Sequence, residues 1–257
     1  MALYEQLPAR RYERRVVIVV DLPGMYALRD NTDASALASR EDVAVIYAGT
    51  DLDLTDEVTR SLERQGMLVP GAVLVASPYR DGDYAALEEA ADRFGLQKWA
   101  AISTLCGYLG ARTVDVKVVE DTLSDTRIEL KAGGGRGPVA ADASGKSDHV
   151  VKFAGQLHWH DEFAGGQMDL DLAKEHLRDS GLEADPEVRS LLEARSHDGN
   201  VLQKRTVTVD LSRESERTIE AALSVKVPAV LKLDAAFKRA ATSRAHYKVQ
   251  FEVDFAQ

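Results

Sequence analysis

Residues Ala245 to Phe255 read AHYKVQFEVDF, with apolar side chains at Ala245, Tyr247, Val249, Phe251, Val253 and Phe255 and a polar residue at every position between. Successive side chains of a strand point to opposite faces, so this alternation predicts a β-strand with one dry and one wet face, the pattern of an antiparallel sheet covered on one side. The same odd-numbered pattern extends upstream. It runs through Val207, Val209 and Leu211, then Ile219, Ala221, Leu223, Val225 and Val227, then Ala229, Leu231, Leu233, Ala235 and Phe237. Arg213 to Ala222 also accommodates a helix. Pro228 has no N–H to give a ladder and predicts a bulge, an edge or a turn.

The beginning of the chain follows a different pattern. Val16 to Val20 (VVIVV) is a short β-branched run ending at Asp21 and the turn-prone Pro23-Gly24, as expected of a strand buried on both faces. Val43–Ala48 and Ala72–Ala76 repeat it. Asp56 to Gly66 between them has helical spacing, so strand, helix and strand predict a parallel pair with a crossover. From Tyr84 the apolar residues fall three or four apart through Leu87, Ala91, Phe94, Trp99, Ile102, Leu105 and Leu109, which predicts helix with a break at Gly95 and a stop at Gly110. Thr113–Val119 returns to strand.

Residues 132–148 (AGGGRGPVAADASGKSD) hold too few apolar side chains to form a core and read as a linker or loop. Beyond it Val150–Trp159 is strand-like. Asp169–Leu177 and Asp185–Ala194 read as helices, the second with Asp185 as N-cap and Pro186 at the first helical position. Their buried sides are expected to be Leu172, Ala173, Leu177, Val188, Leu191 and Leu192. The fold expected is thus an α/β N-terminal part over 1–131, with a short, mostly parallel sheet and helices, then the Gly/Ala-rich linker or loop at 132–148. An α+β part with C-terminal amphipathic antiparallel strands follows over 149–257.

The chain has 257 residues and a net charge of -10, unevenly distributed. Residues 1–15 carry four arginines against two glutamates, and residues 204–257 ten basic residues against seven acidic ones, which leaves -15 for the middle. An acidic body argues against duplex nucleic acid as a partner, because binding there requires phosphate neutralisation. The start MALYEQLPARRYERR lacks the apolar core of a secretory signal. The lone Cys106, beside Leu105 and Leu109 on an apolar helical side, suits a buried thiol and a reducing compartment, so a cytoplasmic location is expected.

Three short stretches resemble known chemistry. Ala140–Ser147 (AADASGKS) is similar to the relaxed phosphate-loop pattern, although a loop of that kind needs a strand before it and a helix N-terminus behind it. His158-Trp159-His160-Asp161-Glu162 sets two imidazoles on one strand face, and resembles the metallo-β-lactamase motif at His158 and His160. Glu162 stands where that motif has Asp, and Phe163 where it has its last His, so His158, His160 and Glu162 are candidate metal ligands. Asp51-Leu52-Asp53-Leu54-Thr55 resembles the Asp-x-Asp-x-Thr signature of haloacid dehalogenase-like phosphatases. That resemblance implies Asp51 as nucleophile, Asp53 as acid and base, Ser77 at a strand end, and Asp121 and Asp125 as acids for Mg²⁺.

No convergent set of acid, base and nucleophile emerges from these stretches. The expectation is therefore a non-catalytic intracellular binding or assembly protein without cofactor, self-associating through its C-terminal β region or binding a protein partner. One alternative is a membrane-active, pore-forming protein that inserts C-terminal β-hairpins. The other is the Mg²⁺-dependent phosphatase built on Asp51 and Asp53.

Overall fold

The computed structural model describes residues 11–30, 37, 40–49, 56–130, 139–140, 147–157, 159–197, 202–225, 231 and 233–255. The chain divides into two compact units, residues 1–91 with 214–244, and residues 92–213 with 245–257. It leaves the first unit, builds most of the second, returns, and leaves again for its last strand. These units do not part at the Gly/Ala-rich stretch 132–148. Among the described residues no helix is long and apolar enough to cross a membrane.

In the first unit the run VVIVV forms β1 (Val16–Val20), and all five residues are buried, so both faces of the strand are dry as its composition requires. It pairs in parallel with β2 (Val43–Tyr47), with Val16 opposite Val43 and Val20 opposite Tyr47. The chain between them includes α1 (Leu22–Asp30). Two further strands, β3 (Val73–Ala76) and β4 (Tyr84–Ala86), complete a sheet of order β2-β1-β3-β4. The helix expected from Asp56 is α2 (Glu57–Arg64), and the Asp56 carboxylate caps it by accepting from Thr59 N at 2.7 Å and Thr59 Oγ1 at 2.9 Å.

The parallel pair is β1 with β2, not β2 with β3. β3 runs antiparallel to β1 and lies on its other side. The reason lies in the segment that follows α2. Gly71 N donates to Val19 O and Ala72 O accepts from Val19 N, so the chain stays at the end of the sheet where β1 finishes and enters β3 from there. Tyr84–Ala86, expected in a helix, is strand.

The second unit opens with α3 (Ala90–Tyr108), which runs unbroken through Gly95. That glycine serves close packing: a Cβ there would stand 3.0 Å from the Phe153 ring. Gly110 ends the helical stretch with φ of 79°, as expected of a C-terminal stop. Next come β5 (Thr113–Asp121), β6 (Thr126–Glu129) and β7 (Val139–Ala140). α4 (Ser147–Gln156) occupies the segment read as a strand at Val150–Trp159. Its two adjacent valines suggest strand, yet Val150, Phe153, Ala154 and Leu157 are the buried residues and sit at helical spacing.

β8 (His160–Glu162), α5 (Leu170–Asp179) and α6 (Pro186–Ser196) follow. Asp169 caps α5, and Asp185 caps α6 with Pro186 in its first turn, both as expected. Ala173, Leu177, Val188 and Leu191 are buried, whereas Leu172 is exposed and Leu192 half-buried. The last two strands are β9 (Lys204–Asp210) and β10 (Tyr247–Asp254). The order β7-β6-β5-β10-β9, with β8 added on β5, gives an antiparallel sheet in which the decisive stretch AHYKVQFEVDF is an interior strand. Its alternation is complete, with Tyr247, Val249, Phe251 and Val253 buried and the residues between them half-buried. Trp99 of α3 meets Phe251 edge-on at 5.2 Å, and Phe153 of α4 stacks on Tyr247 at 3.7 Å, so helices cover the dry face.

The return to the first unit corrects two expected strands. Arg213–Leu223 is helix α7 and Asp234–Thr242 is helix α8. Ile219 and Ala222 are buried in the first, Ala236 and Ala240 in the second, at spacings of three and four. The alternation counts only the odd positions, whereas the helices bury the even-numbered Ala222, Ala236 and Ala240, and alanine favours helix. Pro228 lies outside the described residues. Of the segments that a membrane hairpin would use, 219–223 and 234–237 are thus helical.

One buried ion pair joins three elements of the second unit. Lys98 Nζ of α3 is 2.6 Å from Asp185 Oδ2, with the two side chains 0% and 1% exposed, and it donates to Asp210 O of β9 at 2.6 Å. The other oxygen of Asp185 accepts from Glu187 N and Val188 N in the first turn of α6. Removing one member of such a pair strands the other charge, so Lys98→Met is expected to lower the unfolding free energy by about 3–5 kcal/mol in urea titration. Adding Asp185→Asn, which keeps a capping oxygen but removes the charge, should recover much of the loss.

Candidate interaction surface

The wet face of the antiparallel sheet is built by strand alternation. Asp115 of β5 lies directly opposite Glu252 of β10, two like charges in register. The pairing carries a bulge just beyond this point. Val116 faces Phe251 and Val118 faces Gln250, so Lys117 is the extra residue. Its Nζ sits 3.8 Å from Asp115 and 3.7 Å from Glu252. Lys204 of β9 approaches the same Glu252 at 3.0 Å, and this contact raises the Lys204 pKa above the usual lysine value. The bulge also shifts the phase of β5, so that the dry-face positions pass from Val114 and Val116 to Val119 and Asp121.

His160 enters this network from β8. Its Nδ1 lies 2.7 Å from Asp115 Oδ1 and its Nε2 3.1 Å from Glu162 Oε1, with the ring partly open to solvent. The bond to Asp115 chiefly, then the bond to Glu162, raises the imidazole pKa. Two of the candidate metal ligands, His160 and Glu162, are therefore brought together as an ion pair. Among the described residues no cluster of His, Cys, Asp and Glu could hold a metal ion. His158 lies outside them.

The residues named by the phosphatase resemblance serve local structure where they are described. Asp121 is buried, and its carboxylate accepts from Leu123 N, Ser124 Oγ and His246 N, clamping the turn between β5 and β6. Asp125 occupies that exposed turn with φ of 53°. Ser77, buried in the first unit, accepts from Tyr79 N at 3.1 Å and Arg80 N at 3.3 Å in a turn of its own. Asp51 and Asp53 lie outside the described residues, as does most of the glycine-containing Ala140–Ser147 stretch. Cys106 is fully buried, and burial pushes its thiol up to about 12.

Two polar groupings of the second unit have no signal in the sequence, because their members are far apart along the chain. Tyr247 Oη donates to Asp92 Oδ1 at 2.7 Å and lies 2.8 Å from His149 Nδ1, while His149 Nε2 is 3.3 Å from Asp92 Oδ2. Burial raises both the Asp92 carboxyl and the Tyr247 hydroxyl above their ordinary values. In the second grouping His246 Nε2 lies 2.9 Å from Asp210 Oδ2. A cavity of about 440 Å³ at the end of α3 is lined by Tyr108, Phe163, Gln167 and neighbouring glycines.

One edge of this sheet is formed by β9. Among the described residues β9 pairs only with β10. Leu211 N donates to Tyr247 O, and Phe255 N donates to Gln203 O. Odd-numbered residues of β9 therefore turn their backbone groups toward β10, and Lys204, Thr206, Thr208 and Asp210 turn theirs to the outside. At Asp210 the outward carbonyl is taken by Lys98. Lys204, Thr206 and Thr208 are exposed, so the edge is open along these three residues.

No family model, curated protein or solved structure matches this chain.

Titration of His160 followed by NMR is expected to give a pKa above 6.5, and Asp115→Asn should return it toward that value. A raised folded-state pKa means that the imidazolium's contribution to folding is complete below the unfolded-chain value of about 6.5 and fades as pH rises through the folded value. A wild-type value at or below the unfolded one would contradict the network.

Proposed function

We propose that this chain is a non-catalytic binding or assembly protein that self-associates through its antiparallel sheet. The observation that carries the reading is the open edge of β9. Its outward N–H and C=O groups at Lys204, Thr206 and Thr208 have exposed side chains around them and no second strand among the described residues. Edges of this kind are templates for a further strand, which gains main-chain hydrogen bonds along its length. Lys204 ties this edge strand to the charge network of the wet face through Glu252 of the neighbouring β10, at 3.0 Å.

Sedimentation velocity over a concentration series is expected to show a reversible monomer–oligomer equilibrium. Thr206→Pro removes an N–H that points away from β10, and proline is tolerated on edge strands in that orientation. The variant should keep the wild-type circular dichroism and sediment as a monomer. A wild-type chain that stays monomeric at every accessible concentration would overturn the reading.

A further inference from the structure

The assembly reading leaves open what pairs with β9 and in which register, and the strand itself constrains both. The open stretch is three outward-facing residues long, Lys204, Thr206 and Thr208, and Thr206 is its midpoint. The end at Asp210 is closed, because Lys98 Nζ occupies the Asp210 carbonyl and both Lys98 and Asp185 are buried there. The strand is also polar in charge, with Lys204 and Arg205 at one end and Asp210 at the other.

We infer that the occupant of this edge is β9 of a second copy of this chain, paired antiparallel about a two-fold axis at Thr206. The inference rests on the assembly reading and specifies its partner. In this register Lys204 of each copy faces Thr208 of the other, and Thr206 faces Thr206. Every open backbone group is then used and none at the closed end is needed. A shift of one pair toward the start of the strand sets Lys204 against Thr206 and leaves both Thr208 residues unpaired. A shift the other way demands pairing at Asp210, where Lys98 already sits.

The charges favour the same arrangement. An antiparallel pair lays the basic end of each strand beside the acidic end of the other. Lys204, which pairs with Glu252 of its own copy at 3.0 Å, then lies diagonal to Asp210 of the second copy, whose carboxylate accepts from Ser212 N and Arg213 N and lies 2.9 Å from His246 Nε2, at a Cβ separation of roughly 7–8 Å. Lys204 does not face Lys204, so the like-charge contact that would oppose pairing is avoided. On the buried side Arg205 faces Val207 across the axis, and Arg205 is held within its own copy by Ser190 O and Ser190 Oγ at 3.1 and 3.0 Å.

Single cysteines read the register directly. Residues facing each other in a hydrogen-bonded antiparallel pair have Cα atoms about 5.5 Å apart, within the range a disulfide bridges. The native Cys106 is fully buried and its thiol is a poor nucleophile, so it adds no background. Under mild oxidation at a concentration where the wild type associates, Thr206→Cys alone is expected to become mainly covalent dimer. Thr208→Cys alone should give none, since its counterpart lies about 14 Å along the strand. A mixture of Lys204→Cys and Thr208→Cys should cross-link.

Three results would count against the inference in different ways. If Thr206→Cys does not cross-link while the wild type still associates, this pairing is wrong and the assembly reading survives. If Thr206→Cys cross-links only when mixed with Thr208→Cys, the axis lies at Val207 instead. If the wild type never associates, the inference and the reading beneath it both fall.

Discussion

The buried contact of Lys98 with Asp185 and with the Asp210 carbonyl is the constraint on which the second unit depends. One ammonium, fully removed from water, is shared by the N-cap of α6 and the outward backbone of the edge strand. Such a charge is stable only where its partners are fixed. The cost of misplacing it therefore holds α3, α6 and β9 in one arrangement. The same contact decides how far the edge of the sheet is open. It uses the carbonyl that a further strand would need at Asp210, while the outward backbone groups of Lys204, Thr206 and Thr208 pair with no second strand among the described residues.

The wet face of the sheet follows from a second balance. Asp115 and Glu252 are opposed in register, two like charges on one face. Lys117, two residues beyond Asp115 at the bulge, places its ammonium 3.8 and 3.7 Å from the two carboxylates, with Lys204 and His160 completing the network. These pairs are partly exposed and each contributes modestly to stability. Their effect is to fix an ordered pattern of charge on the wet face, which Lys204 extends to the edge strand.

Much of this architecture is legible from residue patterns. VVIVV predicts a strand dry on both faces, AHYKVQFEVDF a strand with one wet face, Asp185-Pro186 a helix start and Gly110 a helix stop, and each takes the local form expected. The misreadings have a common cause in side chains compatible with two periods. Val150 and Val151 suggest a strand, but Phe153, Ala154 and Leu157 carry the helical spacing that burial uses. In 219–237 the odd positions alternate as a strand would, but burial uses Ile219 with Ala222, and Leu233 with Ala236, at helical spacing. Strand direction is not written locally either: that β3 returns antiparallel to β1 depends on where the chain emerges after α2. The interaction surface was only partly legible. His160 and Glu162 stood out by spacing, yet Asp115, 45 residues away, decides what His160 does. Nothing in KRTVTVD says that it lies at an edge, because that depends on what the rest of the sheet leaves unpaired.

Amide hydrogen exchange at β9, measured across protein concentration, probes the open edge most directly. The N–H groups of Val207 and Val209 point into the sheet and should be protected at every concentration. Those of Thr206 and Thr208 point outward, and are expected to exchange quickly in dilute solution and become protected as the chain associates. Exchange at Thr206 and Thr208 that is slow even in dilute solution, or that stays fast while the protein oligomerises, would contradict the account.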